Sequence, residues 1–119
     1  MIDQLARAYR DDPEYAVDTP AGPAKPVESR ATPDLTVTRR HRVVHLFRVA
    51  ELRDLQADDA RHAWEQLGQA ARAMGATFWL MVPSEALDTA RSLVAQARIP
   101  ARLATWNVAL GGAVRFEWL

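Results

Sequence analysis

Seven consecutive residues, Ala76-Thr77-Phe78-Trp79-Leu80-Met81-Val82, form a nearly unbroken apolar run that ends at Pro83. A run of strand length with no polar alternation predicts a strand buried on both faces, which needs paired neighbours and a covering layer on each side. Its flanks supply such layers. Before it, Ala60, Ala63, Trp64, Leu67, Ala70, Ala71 and Met74 recur at helical spacing between Gln56 and Met74. Gly75 stands where a left-handed C-terminal cap belongs, and Asp58, Asp59 and Arg72 suit the helix dipole. After it, Ser84 is a candidate N-cap for a second helix, whose stripe of Leu87, Ala90, Leu93, Val94 and Ala97 runs until Pro100. Helix, buried strand and helix in that order predict an α/β domain with a mixed sheet flanked by helices.

The rest of the chain is organised around this unit. Ile2, Leu5, Ala6 and Tyr9 share one face of a short N-terminal helix that ends near Asp11-Asp12-Pro13. Five of the seven prolines then fall between Pro13 and Pro33, with Glu14-Tyr15-Ala16-Val17 as the one strand-like patch. Residues 1–33 are therefore expected to be a helix plus a proline-rich arm or linker, and residues 34–119 the α/β domain. Leu35-Thr36-Val37-Thr38 and Val43 through Val49 predict an antiparallel hairpin around Arg39-Arg40-His41-Arg42. Regular alternation puts Val44, Leu46 and Arg48 on one face and Val43, His45, Phe47 and Val49 on the other. The C-terminal residues 103–119 predict a second hairpin turning at Gly111-Gly112. A two-residue loop there pairs Ala109 with Val114 and Asn107 with Phe116, leaving Phe116 and Trp118 on one face and Trp106 on the other. Aromatic side chains on both faces would have to be covered by helices or by a partner.

Composition removes several function classes. The 119 residues suit one core, and fifteen basic residues balance fifteen acidic ones, so global charge points to neither nucleic acid nor an anionic membrane surface. With no cysteine, disulfides and cysteine-held metal centres are excluded. His41, His45 and His62 fall in a turn, a strand and a helix without the spacing of a shared metal ion. No glycine-rich phosphate loop, nucleophile motif or cofactor fingerprint is present, and the expectation is no cofactor and no resident metal. No apolar stretch reaches membrane-spanning length and the N-terminus lacks a leader pattern, so the expected location is cytoplasmic without a membrane partner. One lysine against fourteen arginines suggests the codon usage of a GC-rich bacterium.

The order of elements, with Pro33-Asp34 opening the central hairpin, resembles the restriction-endonuclease-like superfamily, the PD-(D/E)xK nucleases. The resemblance spans roughly Arg30 to Trp106 and implies a restriction-endonuclease-like core. In that family a Pro-Asp begins one strand, and the next strand carries an acid and a lysine two positions apart. The carboxylates hold magnesium and the lysine helps to activate water. Asp34 matches the first acid. The acid and lysine positions fall on His45 and Phe47 or on Leu46 and Arg48, and neither pair contains a carboxylate. Gln66 matches the glutamine of a Gln-x-x-x-Tyr signature found in some relatives, with Ala70 in the tyrosine position. Asp34, Arg48 and Gln66 are thus expected to be vestigial active-site positions.

Three functions follow, in order of preference. The first is a catalytically degenerate nuclease-like domain that binds nucleic acid, or positions an active partner, through Arg39, Arg40 and Arg42, whose guanidinium forks suit phosphate oxygens. The second is a self-associating protein-interaction module that keeps the fold as a scaffold and uses Trp106, Phe116 and Trp118. The third is a magnesium-dependent nuclease with its ligands relocated to Glu28, Glu51 or Glu65.

Overall fold

A computed structural model describes residues 2–18, 33–56 and 58–119. Most of the expected proline-rich arm, residues 19–32, lies outside the described residues, and Glu28 with it. The described chain runs α1 (Ile2–Arg10), β1 (Tyr15–Asp18), β2 (Leu35–Arg39), β3 (Arg42–Val49), α2 (Leu52–Leu55), α3 (Asp58–Met74), β4 (Thr77–Pro83), a 3-10 turn (Ser84–Ala86), α4 (Leu87–Ala97), β5 (Arg102–Val108) and β6 (Val114–Trp118). The strands form one mixed sheet in sequential order β1-β2-β3-β4-β5-β6. β3, β4 and β5 are parallel, joined through helices, while β1-β2-β3 and β5-β6 pair antiparallel. This is the mixed α/β architecture expected from the helix, strand and helix unit.

β4 explains why its run is continuously apolar. Phe78, Leu80 and Val82 pack into a core with Trp64, Leu67 and Ala71 of α3, Leu55 of α2 and Ala90 of α4. Trp79 and Met81 point the other way, into a second core with Leu5 and Ala6 of α1, Leu35 and Val37 of β2, Phe47 of β3 and Ala104 of β5. Each leucine, valine, methionine or phenylalanine among them withdrawn from water contributes roughly 1.5–3 kcal/mol. Residues 2–18 belong to the same sheet and core as the remainder, since α1 is packed on the second face and β1 is hydrogen-bonded to β2.

Three local expectations are corrected and one element is added. In the β2-β3 hairpin Val37 pairs with His45 but Thr38 pairs with Val43, so Val44 is an extra residue without a Cα partner. This bulge reverses the alternation behind it: Val43 packs with Leu46 on the helix-covered face, and Val44 packs with Phe47 on the α1 face. In the β5-β6 hairpin the pairs are Val108 with Val114, Trp106 with Phe116 and Ala104 with Trp118. The loop holds Leu110, Gly111 and Gly112, closed by Ala109 N–H donating to the Ala113 carbonyl at 2.7 Å, and both glycines have positive φ, 92° and 86°. One loop residue more than expected shifts the register by one and places Trp106, Phe116 and Trp118 on the same face. Ser84 does not cap α4 with its side chain; its hydroxyl donates to the Trp106 carbonyl at 3.2 Å. Finally, the short helix α2 was not anticipated. It is held by the Glu51 N–H donating to Asp54 Oδ2 at 2.9 Å.

Candidate functional site

The carboxyl ends of parallel strands are where open α/β sheets most often place ligands, and two of the three expected nuclease positions, Asp34 and Arg48, stand at that edge. Arg48 lies near the end of β3 on the helix-covered face, two residues from Leu46. Its Nη1 is 3.7 Å from Oδ1 of Asp34, both side chains being about four-fifths buried. Asp34 N–H donates to the Phe47 carbonyl at 2.7 Å, and Asp34 Oδ2 accepts from the Val49 N–H at 2.8 Å. The carboxylate therefore prolongs the β2-β3 ladder by one rung, occupying the place of a backbone acceptor. Such a site does not fit magnesium. Among the described residues it offers one carboxylate, with one oxygen accepting from a backbone amide and the other facing a guanidinium.

Gln66 is not brought to this edge. It is exposed on α3, its Nε2 3.3 Å from His62 Nε2. With His62, Glu65, Gln69, Ala97, Arg98 and Pro100 it lines an open groove of about 560 Å³, whose walls include neither Asp34 nor Arg48. Glu65 belongs to this groove and Glu51 faces Arg53 at 3.3 Å on the exposed start of α2. Among the described residues no three histidine or carboxylate side chains stand together as a metal ion would require.

The arginine turn is tight and left-handed, with φ of 52° at Arg40 and 65° at His41, as a two-residue hairpin connection demands. Its charge is partly answered within the chain. Arg39 donates from Nε and Nη2 to Glu14 Oε2 at 3.1 and 2.8 Å, and Arg40 Nη2 is 3.6 Å from Glu14 Oε1. The Arg39 guanidinium also lies 5.9 Å from the Tyr15 ring centre. Glu14 reaches this place because β1 pairs with β2 so that Tyr15 opposes Arg39. Twenty-five positions separate the two partners, so no local pattern announces the pair.

The third candidate is a continuous aromatic face. Phe47 and Trp79, Cα partners across the parallel β3-β4 pair, stack at 6.4 Å, and Trp118 meets Trp79 edge-on at 5.0 Å and Phe47 at 5.9 Å. Phe116 extends the row at 6.2 Å from Trp118, and Arg102 covers Trp79 at 5.1 Å. At the other end Tyr9 of α1 touches His45, Phe47 and Tyr15. His45 Nδ1 accepts from the Trp79 indole N–H at 3.1 Å, which requires an unprotonated Nδ1. Burial holds the His45 pKa below its ordinary value, and burial followed by the neighbouring Tyr15 raises that of Tyr9.

α1 covers only part of this face. Trp118 is 46% exposed at its far end, and Val108, which shares the face through its pairing with Val114, is 67% exposed. Tyr9, His45 and Trp79 were missed as members of one row. The signal for Phe47 and Trp79 was present in the sequence, because they fall at the middle of two runs that a parallel sheet must align.

Compared with known proteins, the chain matches no family model, no curated protein and no solved structure. Among the described residues no helix is long and apolar enough to cross a membrane.

Proposed function

We propose that this protein is a self-associating interaction module that retains a nuclease-like core as its scaffold and contacts its partner through the β5-β6 hairpin. The observation that carries this reading is the placement of exposed apolar side chains. Of the six large hydrophobic residues left exposed among the described residues, Leu52, Met74, Val108, Leu110, Trp118 and Leu119, the last four belong to this hairpin and its immediate end. Apolar surface gathered on one element marks a contact site better than the same surface scattered singly. The half-buried Phe116 and Trp106 join Trp118 on one face, so the three aromatic residues form one surface.

The nuclease-like origin of the scaffold is supported by the convergence of Asp34 and Arg48, which the resemblance assigns to one site and which lie 3.7 Å apart. The use of the Asp34 carboxylate in the β2-β3 ladder favours a domain without hydrolytic activity, because an acid committed to a backbone amide and a guanidinium is a poor metal ligand. The module reading is tested by sedimentation of the full chain over a range of concentrations. A reversible increase in mass, weakened by Trp118→Ser, is the expected result. A monomer mass at every concentration would sink it.

A further inference from the structure

We infer that β6 is a self-pairing edge: two copies of this chain join their β6 strands antiparallel about a two-fold axis at Phe116, making one continuous sheet. This inference rests on the interaction-module reading and specifies its geometry. β6 ends the described sheet, and it contains no proline, bulge or lysine of the kind that blunts an open edge.

The direction of its backbone groups follows from the pairing with β5. Antiparallel partners alternate between hydrogen-bonded and non-hydrogen-bonded pairs. Ala109 N–H donates to Ala113 O at 2.7 Å and Leu119 N–H to Leu103 O at 3.1 Å, so the bonded pairs include Asn107 with Arg115 and Thr105 with Glu117. The N–H and C=O groups of Arg115 and Glu117 are thereby turned toward β5. Those of Val114, Phe116 and Trp118 point to the open edge, where no hydrogen bond receives them among the described residues.

Only some registers of β6 on β6 let outward groups meet outward groups. Centring on Phe116 pairs Phe116 with Phe116 of the second copy and Val114 with its Trp118, all through outward-facing amides. The intervening pair, Arg115 with Glu117 of the second copy, then falls at a non-bonded position, where side chains approach most closely. Both residues are exposed, and neither has an ion-pair partner among the described residues. The two neighbouring registers that also satisfy the amides set Arg115 against Arg115 or Glu117 against Glu117, and they pair fewer residues. Charge thus selects the one register that uses the whole strand. In it the aromatic face runs unbroken across the junction, and Trp118 is covered by Val114 of the second copy.

The test is sedimentation velocity on the full chain with charge reversals at the surface of β6. Arg115→Glu and Glu117→Arg should each raise the dimer dissociation constant about ten-fold or more, because each sets like charges opposite one another twice per dimer. An equimolar mixture of these two variants, and the double variant R115E/E117R, restore complementary pairs and should return association to within about three-fold of the unaltered chain. Recovery on mixing cannot come from a folding defect. A dimer that Trp118→Ser breaks but both charge reversals leave intact overturns the β6 pairing and keeps the interaction-module reading. A chain that stays monomeric throughout overturns both.

Discussion

His45 shows how one residue couples packing to solution conditions. Its ring lies among Tyr9, Phe47 and Trp79, and its Nδ1 is the acceptor for the Trp79 indole N–H. Protonation would turn that acceptor into a second donor and place a charge against aromatic neighbours, with the Arg102 guanidinium already over Trp79. Burial accordingly holds the folded-state pKa of His45 below its ordinary 6.5. The unfolded chain then takes up the proton first as pH falls. Stability from this residue is present above about pH 6.5 and declines below it, until the folded state is protonated as well. Urea unfolding at pH 7.5, 6.5 and 5.5 should show a decline that is shallower in His45→Gln, which keeps an acceptor for Trp79 but cannot titrate. Equal slopes for the two proteins would exclude His45 as the source. Asp34 teaches the complementary lesson: its place at the opening of the hairpin was legible, but its engagement with the Val49 amide was not. A side chain that substitutes for a backbone acceptor leaves no periodic trace in sequence.

At the scale of elements, what could be read in advance depended on whether the signal was a pattern or a count. α3, β4 and α4 each carry several apolar residues at a fixed period, so a misplaced residue or two does not erase them. The hairpin registers hang on single residues. One bulged Val44 reverses the facing of Val43, and one extra loop residue at Leu110 moves all three C-terminal aromatics onto one face. The Glu14 partner of the arginine turn and the members of the aromatic row were hidden for another reason, since tertiary pairing brings them together across long separations. Close approach between elements also escapes sequence reading. Gly68 in the middle of α3 looks like a weak point of a helix, which alanine should improve by about 1 kcal/mol. A Cβ there would meet Pro100 Cγ at 2.7 Å, Cδ at 2.9 Å and the Pro100 carbonyl oxygen at 3.1 Å. The pyrrolidine ring is stiff, and overpacking of this kind costs about 1–3 kcal/mol. Gly68→Ala is therefore expected to destabilise by about 1 kcal/mol net in urea unfolding, and G68A/P100A to lose less than the sum of the single changes. A stabilised G68A would show that the segment after α4 yields freely.

For the whole molecule, the balance of charge decides what the arginine turn can do. Fifteen basic and fifteen acidic residues leave no net field to draw in a polyanion, so any affinity for nucleic acid must come from the local cluster. That cluster holds its own competitor, because Glu14 accepts from Arg39 at 2.8 Å and stands 3.6 Å from Arg40. A phosphate approaching the turn must displace this carboxylate before it gains either guanidinium, and exposed ion pairs of this type are weak enough to exchange. The expected outcome is feeble, salt-dependent binding by the unaltered chain at low ionic strength, strengthened by Glu14→Gln about three- to ten-fold. Arg39→Ala combined with Arg40→Ala should abolish it. Anisotropy of labelled single- and double-stranded DNA at low and moderate salt measures this, and magnesium in the same samples reveals any cleavage. If neither the unaltered chain nor Glu14→Gln binds at low salt, the turn has no nucleic-acid role. The Glu14 contact is then one more tie between β1 and the β2-β3 hairpin.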